Sequence, residues 1–281
     1  MSDTIHYGPD GRAYGTGLLL PDAFPAEGPK FADAFRPSML TADEVRARLA
    51  PLGGKSLWGR REKWAGRKYI SYQRTTSACN GHAVANMTSK ARELRGEPYV
   101  LLSGADAYSQ MNGGRDQGST LADGVKVCES GIATDATVPW NLIYARQIPA
   151  AAREERLRFK GFTTYAVDDE DELATAMLLG RVAVIAVHVA NSFYQVDGDG
   201  VNRGVNGVGN HSVGSQDIKM LSDGTLCFDM PNSWDITWGD GGHTWLTWKK
   251  QLQMTVKYHR FFVVVSTTDD PGDGSTPPVA G

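Results

Sequence analysis

Between residues 79 and 94 apolar residues fall at Ala83, Val84, Met87, Ala91 and Leu94. They are spaced for one face of a helix, and Gly96 supplies a stop. Residues 119–130 form a second helix pattern, with Leu121, Val125 and Cys128 on one side, and residues 169–180 form a third. A shorter helix opens at Thr41, which makes a capping box with Glu44. Val45 and Leu49 share its face, and Pro51, Gly53 and Gly54 end it. After residue 180 the period changes. VAVIAVHVA, residues 182–190, is a β-branched run suited to a buried strand, and TLCFDMPNSW, HTWLTWKK and YHRFFVVVS also read as strands. Helices first and strands second imply an α+β fold with two lobes, and a cleft between lobes is a usual place for a site.

The two ends differ from this body, which spans residues 57–265. Residues 1–56 are rich in Gly, Pro and Ala and carry one clear helix, so they read as an extension laid on the body. Within it YGTGLLLPDAFPAEGPKF, residues 14–31, is apolar yet irregular, and its three prolines oppose strand pairing. Such a segment can bury Leu18, Leu19, Leu20 and Phe24 only against a preformed surface. It is expected to pack on the body, either across the cleft as a prosegment or around the back of a lobe as a wrap. Residues 266–281 have the composition of a disordered tail.

The 281 residues are 41% hydrophobic and 22% charged, with a net charge of −3. That is ordinary globular composition and gives no nucleic-acid footprint; the basic run at residues 59–68 reads as a solvated surface. No apolar run reaches the 18 or so residues of a membrane span, and the N-terminus lacks a signal-peptide pattern. Three cysteines, an odd and sparse set, argue for a reducing compartment. The expectation is a cytoplasmic protein, with release by lysis or packaging in a particle as the other route. DGDGVNRG, residues 197–204, fails the calcium-loop spacing. Neither a metal nor a cofactor is expected.

Cys79 stands where a polar segment meets a helix. Unpaired backbone N–H groups and the helix dipole favour negative charge there, so its thiol is expected to have a lowered pKa. The bland alternative is a small buried apolar residue. Gln73 lies six residues earlier. His211 follows Cys79 by 132 residues and Asn232 by 153. A cysteine peptidase needs a thiolate, a histidine to exchange its proton, a group to orient the histidine and donors for the oxyanion. The papain and cathepsin arrangement places His and Asn roughly 130–150 residues after the cysteine.

In these elements residues 57–265 resemble the papain-like cysteine peptidases. The matching stretches are Gln73 with Cys79, NHSVG at residues 210–214, and NSWDITWGDGG, which departs from the family's NSWGxxWGxxG motif at Asp235. LLSGADAY, residues 101–108, resembles the family's stretch opening the next helix. The resemblance implies a papain-like two-lobed fold, a helical lobe followed by an antiparallel β-barrel-like lobe, with the active-site cleft between them. It implies an endopeptidase acting on peptide or protein substrates, with Cys79 as nucleophile, His211 as its acid–base partner and Asn232 orienting the ring. Trp234 would cover that pair, and Gln73 with the Cys79 backbone N–H would hold the oxyanion. Asn210 joins the substrate-binding candidates. For the glycine pair that binds substrate backbone, Gly113–Gly114 copies the local motif, whereas helix length favours Gln117 and Gly118. Thr76 replaces the family's disulfide cysteine, in keeping with a reducing origin. Asn80 replaces an aromatic residue and is expected to open the floor of the site.

Two rivals remain at this point: another thiol acyl-transfer enzyme of amidase or transglutaminase type, and a structural or particle-associated protein that keeps the fold. Other residues read as packing. His82 is structural or on the rim, His188 and His243 are core histidines, and Cys128 and Cys227 are buried. Trp234, Trp238, Trp245 and Trp248 suit strand packing.

Overall fold

The computed structural model describes residues 5–21 and 28–266. A hairpin of β1 (Ile5–Tyr7) and β2 (Ala13–Gly15) starts the chain. Then come α1 (Phe31–Ala34), α2 (Ala42–Leu49) and α3 (Arg60–Lys63). The helical lobe follows, with α4 (Cys79–Leu94), α5 (Gly104–Ser109), α6 (Leu121–Ser130) and α7 (Ala150–Arg158). Next are β3 (Phe162–Val167), α8 (Glu170–Leu178), β4 (Val182–Val187), β5 (His211–Ser215), β6 (Asp217–Met220), β7 (Leu226–Pro231) and β8 (His243–Thr247). α9 (Gln253–Tyr258) and β9 (Phe261–Ser266) complete the described chain.

The second lobe is antiparallel throughout. One sheet has the order β3-β9-β4-β5 and the other β6-β7-β8. The two sheets do not close into a barrel, and their antiparallel strands agree with the two-lobed α+β fold that the resemblance implies. β4 sits between β9 and β5 with all six residues buried, which is why its sequence is continuously apolar.

The α2 start is as the capping box dictates: the Thr41 and Glu44 side chains each accept from the other's backbone N–H. α4 departs from a simple amphipathic helix. Residues 79–92 are buried all round, because α5, α6, β4 and β5 pack against its different faces. Its polar side chains therefore need partners inside the protein. Asn86 Nδ2 donates to the Tyr69 carbonyl at 2.6 Å, Ser89 Oγ accepts from Leu102 N–H at 3.0 Å, and Lys90 Nζ donates to Gln216 Oε1 at 2.6 Å.

The extension packs on the body, but not as its apolar letters imply. Leu18 is buried, whereas Leu19 and Leu20 are 38% and 54% exposed. The backbone of this stretch is bound in an extended form, so successive side chains face opposite ways and cannot all be covered. Phe24 and the tail after residue 266 lie outside the described residues.

Candidate active site

Cys79 is the first residue of α4, fully buried, and the backbone N–H groups of Ser212, Asn80 and Gly17 lower its pKa. These donors favour the thiolate. Burial outweighs them, and the thiol is pushed up to about 12. This corrects the lowered pKa expected of a helix N-terminus. The sulfur is fully buried, and desolvation of a charge exceeds the help of a few N–H dipoles.

His211 opens β5, opposite Val187 of β4. Its Nε2 is 2.8 Å from Asn232 Oδ1, just beyond the end of β7. An amide oxygen only accepts, so Nε2 carries the proton and Nδ1 is the bare nitrogen. Nδ1 is buried without a hydrogen-bond partner among the described residues. The Trp234 ring stacks on the imidazole at a centroid distance of 4.6 Å. Burial pushes His211 down to about 4, opposed by its bond to Asn232.

Gln73 is fully buried, and its position is set from both ends of its amide. Oε1 accepts from Ser233 Oγ at 2.5 Å, while Nε2 donates to the carbonyls of Thr76 at 2.8 Å and Gly15 at 3.1 Å. The Gly15 oxygen also accepts from Trp234 Nε1 at 3.0 Å. The strap then runs on between the lobes. Gly17 and Leu18 donate their N–H groups to the Asn210 carbonyl, and Ser119 and the strap exchange two bonds in a parallel bridge. Glycine is required twice: a Cβ on Gly15 would lie 2.0 Å from the Thr76 oxygen, and one on Gly17 would lie 2.2 Å from the Ser77 oxygen.

Cys79, Gln73, His211, Asn232, Trp234, Asn210 and Gly118 thus gather along one strap. Gly118 meets it so closely that a Cβ would be 2.1 Å from the Gly17 oxygen. Gly113 and Gly114 border open space, since a Cβ on either would meet nothing within 4 Å, and Gln117 is exposed. Asn80 does not open the floor. It is fully buried, donates to Ser119 Oγ and the Thr120 carbonyl, and accepts from Ser212 Oγ. A polar side chain takes the place of an aromatic one by bonding to both lobes. Asp235 holds φ +71°, the left-handed region where glycine is at ease. Its carboxylate accepts from the next N–H at 2.7 Å and pairs with Arg67 at 2.9 Å, which offsets a cost of about 1–3 kcal/mol.

Ser119, Ser212 and Ser233 were not singled out by the sequence. Only Ser233 had a signal, since it lies between Asn232 and Trp234. All three cysteines are free and buried. Among the described residues no helix is long and apolar enough to cross a membrane.

No protein-family model and no curated protein matches the sequence. Solved structures match the fold. Xylellain, a cysteine protease from Xylella fastidiosa, aligns with a TM-score of 0.60 at 18% identity, covering 89% of this chain and 96% of that one. Procathepsin B from Trypanosoma congolense aligns at 0.59 with 16% identity, covering 89% and 86%. Bromelain from Ananas comosus, in complex with the inhibitor E64, aligns at 0.55 with 15% identity, covering 75% and 98%. The helix that begins with a cysteine and the antiparallel second lobe are parts of one architecture, and the chain has the fold of the papain-like cysteine proteases.

Proposed function

We propose that the protein is a papain-like cysteine endopeptidase held latent by residues 13–20. The observation that carries the reading is the His211–Asn232 bond, which leaves Nδ1 as the free base on the side of the ring away from the amide. When the strap leaves, Cys79 passes its proton to Nδ1 and the thiolate adds to a peptide carbonyl. The Gln73 amide and the Cys79 backbone N–H take the oxyanion. The C–N bond breaks as His211 returns the proton to the leaving amine. Water then attacks the thioester, giving up a proton to the same nitrogen, and the acid is released with the thiol restored.

With the strap in place the sulfur is fully buried and the Gln73 amide is taken by the Gly15 carbonyl, which supports latency. The test is labelling with an epoxide thiol inhibitor, followed by peptide mapping. Label on Cys79 and loss of peptide hydrolysis in Cys79→Ala support the reading; full hydrolysis by purified Cys79→Ala refutes it.

A further inference from the structure

A pocket of about 210 Å³ lies behind the Tyr72–Arg74 segment, bordered by the residues on either side of Gln73 and by Asp235. Three polar groups in its lining have unused capacity. His82 is 98% buried by area, and neither ring nitrogen has a hydrogen-bond partner among the described residues. The ring is fixed, because Gly104 packs so tightly on it that a Cβ would lie 2.3 Å away. Burial pushes it down to about 4, so at neutral pH it offers one donor and one acceptor.

Asp135 also lines the pocket. Burial raises its pKa, and among the described residues its carboxylate has neither an ion pair nor a hydrogen bond. Arg74 is the third group. Its guanidinium lies 4.9 Å from the Tyr72 ring centroid and 4.5 Å from that of Trp140, and among the described residues it has no carboxylate partner. These rings hold it although its backbone is in the left-handed region at φ +56°. The remaining charges, Arg67 and Asp235, neutralise each other at 2.9 Å.

Buried polar groups are normally bonded, and an unbonded one is a reason to look for its partner. Here a buried imidazole has no partner, and a half-buried carboxylate and an exposed guanidinium, neither in an ion pair among the described residues, border the same small space. An ammonium group satisfies the imidazole acceptor and the carboxylate, and a carboxylate satisfies the guanidinium. The volume is below that of sites for drug-sized ligands, so the occupant is small.

We propose that this pocket binds a small zwitterion of the amino-acid or free-terminus dipeptide class. Its ammonium sits between His82 and Asp135, and its carboxylate sits on Arg74. The site is separate from the Cys79 sulfur and does not depend on the peptidase reading.

The test is calorimetry on full-length Cys79→Ala protein, which has no sulfur nucleophile and so cannot turn the probes over. The probes are glycine, leucine and glycyl-leucine, each compared with its N-acetylated and its amidated form. At least one zwitterion is expected to bind at a single site, and removing either charge should weaken it about tenfold or more, the scale of one charge-assisted bond. Asp135→Asn and Arg74→Gly should each weaken it comparably. Glycine is chosen at 74 because it accepts the positive φ, and ligand-free melting checks that both variants fold. Binding of no zwitterion in the millimolar range, equal binding of the capped forms, or binding unchanged in both variants would overturn the proposal.

Discussion

The Gln73 side-chain amide donates to the Gly15 carbonyl at 3.1 Å, so the chain's own backbone occupies the donor proposed to receive the substrate oxyanion. A strap built on glycine can come this close because it has no side chain to place against Thr76 and Ser77. That closeness makes closure sensitive to a single methyl group.

Gly17→Ala should open the strap without any cleavage. The added Cβ would meet the Ser77 oxygen at 2.2 Å, and overpacking of this kind costs about 1–3 kcal/mol. The closed-to-open ratio should fall by about tenfold to a hundredfold, read as faster labelling of Cys79 with an unchanged chain mass. Labelling no faster than wild type would show that the strap does not gate the sulfur.

Gln73→Ala removes one oxyanion donor and should lower kcat by about 10²-fold in the Gly17→Ala background, with little change in KM. Because Gln73 also holds Gly15, the same change in the wild-type strap should speed labelling of Cys79. A single substitution would thus accelerate alkylation and slow hydrolysis. Equal loss of both would mean that the site has collapsed.

Closure should depend on pH in a defined direction. His211 is pushed down to about 4 when covered, so an open state with a solvated ring binds more protons between about pH 4 and 6.5. Acidification through that window weakens closure. His6 of β1 adds to the depression of His211. Cys79 is pushed up to about 12, so raising the pH from about 9 also favours opening. The ratio of wild-type to Gly17→Ala labelling rates should be lowest between about pH 6.5 and 9. A flat ratio across pH 4–7 would contradict the histidine argument.

Asp229 lies at the centre of a buried network. It accepts from Arg61 at 2.7 Å, from Gln216 at 2.8 Å and from His243 at 3.2 Å, and Gln216 in turn binds Lys90 of α4. The charges of His243 and Arg61 hold its carboxyl down at about 2 despite burial. Its stabilisation is present above the usual carboxylate pKa of about 3.9 and is lost as pH falls through 2. Asp229→Asn should destabilise the fold by about 3–5 kcal/mol, the scale for breaking a buried charge pair, measured by urea unfolding at pH 7. A loss under 1 kcal/mol would mean that the network relaxes around the amide.

The sequence by itself determined the elements whose cause is local. The Thr41–Glu44 box, the period of residues 79–94 and the β-branched run at 182–187 each act within a few residues, and each forms where its pattern lies. The order of Gln73, Cys79, His211 and Asn232 was equally legible, because chemistry limits which residue types can stand there. What the sequence could not carry was set by partners far along the chain. β3 and α7 have weak patterns of their own. β3 is held by β9, with Phe162 opposite Ser266. Asn80 looked like an opening until Ser119 and Ser212 met it from both lobes. The thiol pKa reversed because the folded chain buries the sulfur completely, a desolvation that no local pattern encodes. Whether the apolar stretch of residues 14–31 crosses the cleft or wraps behind a lobe is left open by composition. What the tertiary structure adds is the contact itself: Gly15 and Gly17, which leave no room for a Cβ against Thr76 and Ser77, lie beside Gln73 and the Asn210 carbonyl.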